Sequence, residues 1–166
     1  MSTIIKPDEL EYNVDKTALE EFKLKTLTPR LGEICKSKHF VFDLRQLDPG
    51  KYSFPYHFHR NAEELIMIIS GSFTLRSPEG LNIIHQGELI FFEMGESGAH
   101  QFYNHKTVPC TYLDIRTTFG IDISEQLDSG KIYISPFKEI FMKSSEVDYN
   151  KGEENIQEIW NNLKQK

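Results

Sequence analysis

Between residues 31 and 118 the sequence alternates short β-prone segments with turns. The segments are rich in β-branched and aromatic residues, and glycine, proline, asparagine or aspartate separates them. Residues 48–50 (Asp-Pro-Gly) and 77–80 (Ser-Pro-Glu-Gly) are strong turn signals. The predicted strands span residues 38–47, 51–59, 64–70, 73–77, 81–86, 88–92, 99–104 and 109–117. Many short strands at this spacing predict an all-β sandwich or barrel.

The two ends of the chain depart from this strand rhythm. Residues 1–30 are predicted to form an N-terminal arm with a short helix, because residues 17–20 (Thr-Ala-Leu-Glu) match a capping box. Residues 119–166 are predicted to form a C-terminal extension that packs on the barrel, with a further strand at 132–134. The extension ends in an amphipathic helix with apolar residues at helical spacing: Ile156, Ile159, Trp160 and Leu163. We expect a single domain in which residues 31–118 form the barrel and Trp160 is a packing residue.

Two predicted strands carry apolar residues on both faces. Residues 65–69 are all apolar, and so are residues 89–92. A sheet with one solvated face would alternate polar with apolar residues. The outer face is therefore expected to be covered by the N-terminal arm, by the C-terminal helix or by a second subunit, and we expect a homodimer.

Composition excludes several classes of protein. The chain has 166 residues and a formal charge of −6. It contains no block of lysine or arginine, so nucleic-acid binding is not expected. No apolar stretch is long enough to span a membrane, and the polar N-terminus is not typical of a signal peptide. We therefore expect a cytoplasmic protein, in which Cys35 and Cys110 are buried, reduced thiols.

A His-x-His pair points to metal chemistry. His57 and His59 are two positions apart, so on an extended strand both imidazoles lie on the same face. The turn-compatible residues 60–63 separate this pair from the next predicted strand, which begins at Glu64. Because the turn resets the alternation, Glu64 can return to the histidine face, whereas Glu63 lies in the turn and is the rival that is expected to face water. Imidazole and carboxylate together suit zinc, nickel, manganese or iron(II).

His100 lies in a second glycine-flanked segment. It shares one face of the predicted strand 99–104 with Phe102 and Asn104. A lone histidine in a β protein is more often a hydrogen-bonded structural residue than a metal ligand. By spacing alone, both interpretations of His100 stay open.

These segments resemble the two motifs of the cupin superfamily. The first motif spaces glycine, His-x-His, glutamate and glycine as they stand here from Gly50 to Gly71. The second runs from Gly87 to Asn104, with Glu93 where the family has proline and a longer loop before His100. Both departures lie in a turn and bear on loop shape more than on the histidine. The chain is most similar in pattern to uncharacterised bacterial single-domain cupins of the conserved-barrel type.

The resemblance implies a fold and a ligand set. The fold is an all-β cupin jelly-roll β-barrel, here with short N- and C-terminal helices. One divalent transition metal (Zn, Ni, Mn or Fe) would be bound by four residues: His57, His59, Glu64 and His100. The sequence identifies no catalytic residue beyond them.

The mouth of the barrel should present polar groups beside the metal. By strand parity the candidates for contact with a small-molecule ligand or substrate are Phe102, Asn104, Tyr112, Asp114 and Arg116. The Arg116 guanidinium is suited to a substrate carboxylate, although an Asp114–Arg116 ion pair would serve structure instead.

Two functions fit this pattern. The first is a metal-dependent enzyme on a small organic molecule, of the dioxygenase, decarboxylase or isomerase type, since relatives of this fold perform all three. The alternative is a non-catalytic ligand-binding or sensor protein. A purely structural metal is disfavoured, because structural zinc sites normally have no open coordination position.

Overall fold

A computed structural model describes residues 2–164 of the protein as a mostly β structure. Met1 and residues 165–166, which belong to the predicted arm and extension, lie outside that range. The strands are β1 Glu11–Val14, β2 Lys25–Thr28, β3 Phe40–Leu47, β4 His57–His59, β5 Glu64–Ser70, β6 Ser72–Ser77, β7 Gly80–His85, β8 Leu89–Phe92, β9 Gln101–Tyr103, β10 Cys110–Thr117, β11 Asp122–Gln126, β12 Lys131–Ser135 and β13 Glu139–Met142. The helices are α1 Leu31–Ile34 and α2 Ile156–Lys164, with 3-10 turns at Pro7–Glu9, Glu20–Phe22, Glu96–Gly98 and Lys143–Ser145.

The strands form antiparallel sheets that face each other as in a jelly roll. One sheet has the order β1-β2-β3-β10-β5-β8. The other sheets have the orders β13-β12-β11-β4 and β7-β6-β9. Single β-bridges join the last two, between His57 and His100 and between Tyr52 and Tyr103. The all-β jelly-roll prediction is confirmed.

The six-stranded sheet forms one layer, and the two smaller sheets together form the other. The core lies between these layers and consists mainly of side chains from alternate strand positions. On β10, alternate residues are buried from Cys110 to Asp114, as a strand with one inward face requires. Phe102 contributes from the opposite layer; its ring stacks on Phe73 at 4.3 Å and meets Tyr112 edge-on at 5.5 Å. This aromatic cluster fills the barrel directly beneath the His100 ring, whose centroid lies 5.5 Å from that of Phe102.

Local propensity explains most of the strands but not their limits. The structure has β5 at the predicted residues 64–70, whereas the predicted strand 51–59 is regular only over the three residues of β4. Pro55 lies in the irregular part; its ring removes a backbone N–H and so interrupts a ladder there. The strands β1, β2, β11 and β13 have no counterpart among the sequence predictions, because each depends on a partner strand rather than on its own pattern.

The predicted N-terminal helix is reduced to a short turn. The side chain of Asp15 accepts hydrogen bonds from the backbone N–H and hydroxyl of Thr17, which forms a local turn instead of a helix start. A 3-10 turn follows at Glu20–Phe22, and β2 then pairs with β3.

The C-terminal helix is present as predicted at α2, but all of its described residues are exposed. Trp160 is 58% exposed, so within this chain it does not pack in the core. The domain boundaries at residues 30 and 118 stay predictions. Cys35 and Cys110 are free thiols, and only Cys110 is fully buried. Among residues 2–164, no helix is long and apolar enough to cross a membrane.

Candidate metal centre

Strand pairing brings the rings of His57, His59 and His100 close together. β4 holds the two imidazoles of the His-x-His pair on one face, with ring centroids 5.0 Å apart. The backbone of His57 is bonded to that of His100 in both directions, with N–O distances of 3.2 and 2.8 Å. This bridge brings the His100 ring to 4.7 Å from the ring of His57. All three side chains are buried.

Glu64 supplies the carboxylate. Its Oε2 atom lies 3.5 Å from Nε2 of His59 and 3.3 Å from Nε2 of His100. His57, His59 and Glu64 each offer a ligand atom within 4.8 Å of the other two. Glu63, the rival, is half-buried in the turn, where its backbone bonds to Thr117. The turn therefore resets the strand alternation in the way that the sequence predicted.

The second nitrogen of each imidazole is held by an acceptor. Nδ1 lies 2.8 Å from the Pro55 carbonyl oxygen in His57 and 2.9 Å from the Gly98 carbonyl oxygen in His100. In His59 it lies 2.6 Å from Oδ2 of Asp122. A carbonyl or carboxylate oxygen can only accept, so Nδ1 carries the proton in each ring. A neutral imidazole with its proton on Nδ1 presents the Nε2 lone pair, as metal-binding histidines do.

Electrostatics favour a neutral His57 and an ionised Glu64, whereas in His59 the effect of burial is outweighed by hydrogen bonds with Asp122 and Glu64, which raise its pKa. Burial lowers the pKa of His57 to about 3, and the neighbouring imidazoles add to the effect. Burial alone would raise the pKa of Glu64, but His100 and His59 hold it well below its usual range. Its Oε2 atom is buried and has no hydrogen bond, although it faces two nitrogens. A divalent cation would satisfy this oxygen and the imidazole lone pairs together, so the residues fit a metal.

Asp122 on β11 is a contributor that sequence reasoning missed. It accepts the His59 Nδ1 proton with one oxygen and the backbone N–H of Asn61 with the other, at 3.1 Å. Burial would raise the pKa of Asp122, but the bond with His59 lowers it overall, so the carboxylate stays ionised. Nothing in the two motifs marks Asp122, because its position depends on the pairing of β11 with β4.

Arg116 lies beside the same imidazole. Its Nη1 atom is 3.3 Å from Nδ1 and 3.4 Å from Nε2 of His59, and 3.7 Å from Oδ2 of Asp122. The strand pairing of β10 with β5 sets Arg116 opposite Glu64. The guanidinium therefore borders the candidate metal centre directly.

Asp114 pairs with Arg45, not with Arg116. The Arg45 Nε donates to Asp114 in a buried ion pair, and its Nη1 donates to Thr26 at 2.9 Å. Arg45 lies on β3, so the partner comes from the neighbouring strand rather than from two residues along the same one. Burial raises the pKa of Asp114 to about 6, against the effect of Arg45, and its carboxyl also contacts Glu64.

Three predicted contact residues lie in the core instead of facing solvent. Phe102 and Tyr112 belong to the aromatic cluster, and the Tyr112 hydroxyl is buried without a hydrogen-bond partner. Asn104 is fully buried; its amide donates to the Leu47 and Val108 carbonyls and accepts from the Lys106 N–H. Asn104 thus fastens a turn to the barrel.

A cleft of about 500 Å³ opens onto the imidazoles of His57 and His59. One wall belongs to the barrel and to Arg30, which directly precedes it; its other residues are Val41, Arg45, Phe54, Pro55, Asp114 and Arg116. The other wall belongs to the C-terminal extension and consists of Ser124, Gln126, Tyr133, Ser135, Pro136 and Lys138. Of the five predicted contact residues, only Asp114 and Arg116 line this cleft.

The antiparallel sheets and the grouped His-x-His pair and glutamate agree with the resemblance to the cupin superfamily. Residues 44–116 match the cupin domain family. The recognition of the superfamily from the two motifs is confirmed.

Solved structures share this fold over most of the chain. A sugar phosphate isomerase of the cupin superfamily from Silicibacter pomeroyi is 20% identical, with a TM-score of 0.76, and the match covers 89% of this chain and 98% of that one. A proposed sugar phosphate isomerase from Acidithiobacillus ferrooxidans is 24% identical, with a TM-score of 0.67 and coverage of 75% and 80%. The polyketide cyclase RemF from Streptomyces resistomycificus is 21% identical, with a TM-score of 0.58 and coverage of 70% and 80%.

At these identities the likeness shows the cupin fold alone. No match was found among curated proteins. The different chemistries of the similar structures agree with the general rule that a fold does not select a reaction.

Proposed function

We propose that His57, His59, Glu64 and His100 bind one divalent transition metal, and that the protein is a metal-dependent enzyme acting on a small organic molecule. The observation that carries the proposal is the grouping of His57, His59 and Glu64, whose ligand atoms all lie within 4.8 Å of one another. Nε2 of His100 lies 3.3 Å from the unsatisfied Oε2 of Glu64, and His57 and His59 line an open cleft. A structural metal would need no such access.

The bound metal would supply Lewis-acid polarisation of a substrate oxygen. The chain's own residues hold and orient the site. Asp122 keeps the His59 ring in one tautomer, and the Pro55 and Gly98 carbonyls do the same for the other two rings. Four protein ligands leave a place for substrate if the metal is five- or six-coordinate.

Among the dioxygenase, decarboxylase and isomerase types, we favour an isomerase of a polar metabolite. One similar structure, which covers 89% of the chain, is a sugar phosphate isomerase, and its match extends well beyond residues 44–116. The cleft wall adds hydroxyl and amide groups from Ser124, Gln126 and Tyr133, which suit a polyhydroxy substrate.

The metal assignment is tested by elemental analysis of protein purified without added metal. Wild type should carry close to one equivalent, and His57→Ala and Glu64→Ala should lose most of it. His39→Ala is the matched control, because His39 is exposed and lies outside the centre. If the two site variants keep the wild-type metal content, the ligand assignment is wrong.

Turnover separates the enzyme from the sensor. Metal-loaded protein should convert at least one member of a panel of aldose and ketose phosphates, followed by NMR. Oxygen uptake or carbon dioxide release with organic acids would indicate a dioxygenase or a decarboxylase instead. Tight binding across the panel without any turnover would contradict the enzyme and favour the ligand-binding alternative.

We also propose a homodimer formed by a second copy of this chain on the outer apolar face. The paired strands β5 and β8 expose large apolar side chains there: Met67, Ile69, Leu89 and Phe91. Light scattering after size-exclusion chromatography should give twice the 19.4 kDa chain mass, and Phe91→Glu should give monomer. A monomeric wild type would refute the proposal.

A further inference from the structure

The cleft carries a charge opposite to that of the chain. The protein as a whole has a formal charge of −6. The cleft is lined by one carboxylate, Asp114, and by four cationic side chains: Arg30, Arg45, Arg116 and Lys138. A concave site lined by one sign of charge concentrates its field and attracts ligands of the other sign.

The four cations are not equivalent. Arg45 is buried and its charge is compensated by Asp114. The Arg30 side chain is 49% exposed, and its Nε lies 3.8 Å from Asp43, at the limit of an ion pair. Arg116 is 23% exposed and is held beside His59.

Lys138 lies on the opposite wall. It is exposed and follows β12 in a turn, where it has a φ of 61° and its backbone N–H donates to the Ile134 carbonyl at 3.0 Å. Within residues 2–164 its side chain has no carboxylate within 4.0 Å, whereas Lys143 in the same extension pairs with Glu125 at 2.8 Å. Among the described residues, Lys138 therefore lines the cleft without a carboxylate partner, whereas Arg30 and Arg116 lie 3.8 and 3.7 Å from a carboxylate, at the long end of the ion-pair range.

We propose that these three residues form an oxyanion subsite, which binds the phosphate or carboxylate group of the substrate beside the metal. This proposal rests on the proposed function, because it assigns a chemical class to the substrate of that enzyme. Guanidinium groups present paired N–H donors that match phosphate and carboxylate oxygens, and the lysine ammonium adds a point charge from the facing wall.

The position of Arg116 places the subsite next to the candidate metal centre. Arg116 contacts the ring of His59, a proposed metal ligand, so an anion bound to its outer N–H groups lies next to the centre. The rest of the molecule would then extend along the wall of Ser124, Gln126 and Tyr133. Because residues 122–138 supply that wall and Lys138, the extension would select the substrate.

The subsite is tested by isothermal titration with inorganic phosphate, and in parallel with acetate, on metal-free and metal-loaded protein. Phosphate should bind the metal-free protein, and Lys138→Gln and Arg30→Gln should each weaken it about five- to tenfold, the effect of losing one charge-assisted contact. Lys131→Gln is the matched control, because it removes the same charge from β12 outside the cleft and should leave the affinity unchanged.

The outcomes separate this inference from the proposed function. If phosphate and acetate bind only the metal-loaded protein, with equal affinity in Lys138→Gln and Lys131→Gln, the anion sits on the metal and the subsite is refuted. If His57→Ala loses its metal yet keeps the Lys138-dependent binding, the subsite stands independently of the metal. Tighter binding of phosphate than of acetate would assign a phosphate ester, and the reverse order a carboxylic acid. Turnover without any anion effect would support the enzyme and refute the subsite.

Discussion

The barrel and the C-terminal extension wall the same cleft but differ in how they are packed. On β5 and β10 of the barrel, buried residues alternate with less buried ones, so each strand faces a core. In the extension, β12 is half-buried at all five positions and β13 is exposed at all four. The proposed metal ligands, whose positions must be accurate to within ångströms, therefore lie on strands whose backbone is held by packing. The cleft wall needs only to reach the site.

β11 links the two regions. It is hydrogen-bonded to β4, which carries two of the proposed ligands, and it buries Asp122 and Glu125. The extension thus reaches the candidate metal centre through one strand, and variants on either side of that strand test how the two regions differ.

The largest expected effect is the loss of a buried ion pair in the barrel. Asp114→Ala leaves Arg45 buried without its partner and should lower the free energy of unfolding by about 3–5 kcal/mol. Asp128→Ala is the matched change in the extension, where Asp128 pairs with Arg76 and both side chains are about half-exposed. That change should cost less than about 1 kcal/mol. Urea denaturation measures both, and equal losses would contradict the difference in packing.

A smaller effect is expected on metal affinity from β11. Asp122→Asn weakens the acceptor for His59 Nδ1 and should reduce metal affinity about 10- to 100-fold, as for other carboxylates behind metal-binding histidines. Competition with a chromogenic chelator measures the affinity. Glu125→Gln is the control, because Glu125 bonds to Arg60 and Lys143 and not to an imidazole. Equal metal affinities in the two variants would show that the extension lines the cleft without orienting a metal ligand.

The smallest effect is expected at the end of the chain. Trp160 is the single tryptophan and is 58% exposed on α2. Trp160→Ala should change the free energy of unfolding by no more than about 0.5 kcal/mol, as for other surface substitutions. Acrylamide should also quench the wild-type fluorescence freely. A large loss of stability, or a shielded indole, would show that α2 packs against the barrel or a second copy, as the sequence suggested.

Much of the barrel could be predicted because its signals are local. Alternating or continuous apolar runs end at glycine and proline turns, so β5, β6, β8 and β10 were placed within two residues of their observed limits. At the two ends only β12 was predicted, at residues 132–134; β1, β2, β11 and β13 were missed, since they carry weak patterns and depend on pairing with other strands. The Asp15 turn likewise outcompeted the helix that the capping-box pattern favours.

The candidate site divides in the same way. His57 and His59 share a face because strands alternate, and Glu64 follows because a turn resets that alternation. Strand parity also placed Phe102 and Asn104 inward, but it could not say that inward here means core rather than cleft. Arg45 and Asp122 come from other strands, so spacing along the chain carries no signal for them.

The sequence by itself determined the type of fold and the ligand types of a metal site, because alternation and turn chemistry act over a few residues. Only the tertiary structure decided which residues surround those ligands. Pairing of β11 with β4 sets Asp122 behind His59, and pairing of β3 with β10 gives Asp114 to Arg45 instead of Arg116. The physical reason is that hydrogen-bonded ladders between distant segments, and not the spacing within a segment, fix which side chains meet across a cleft.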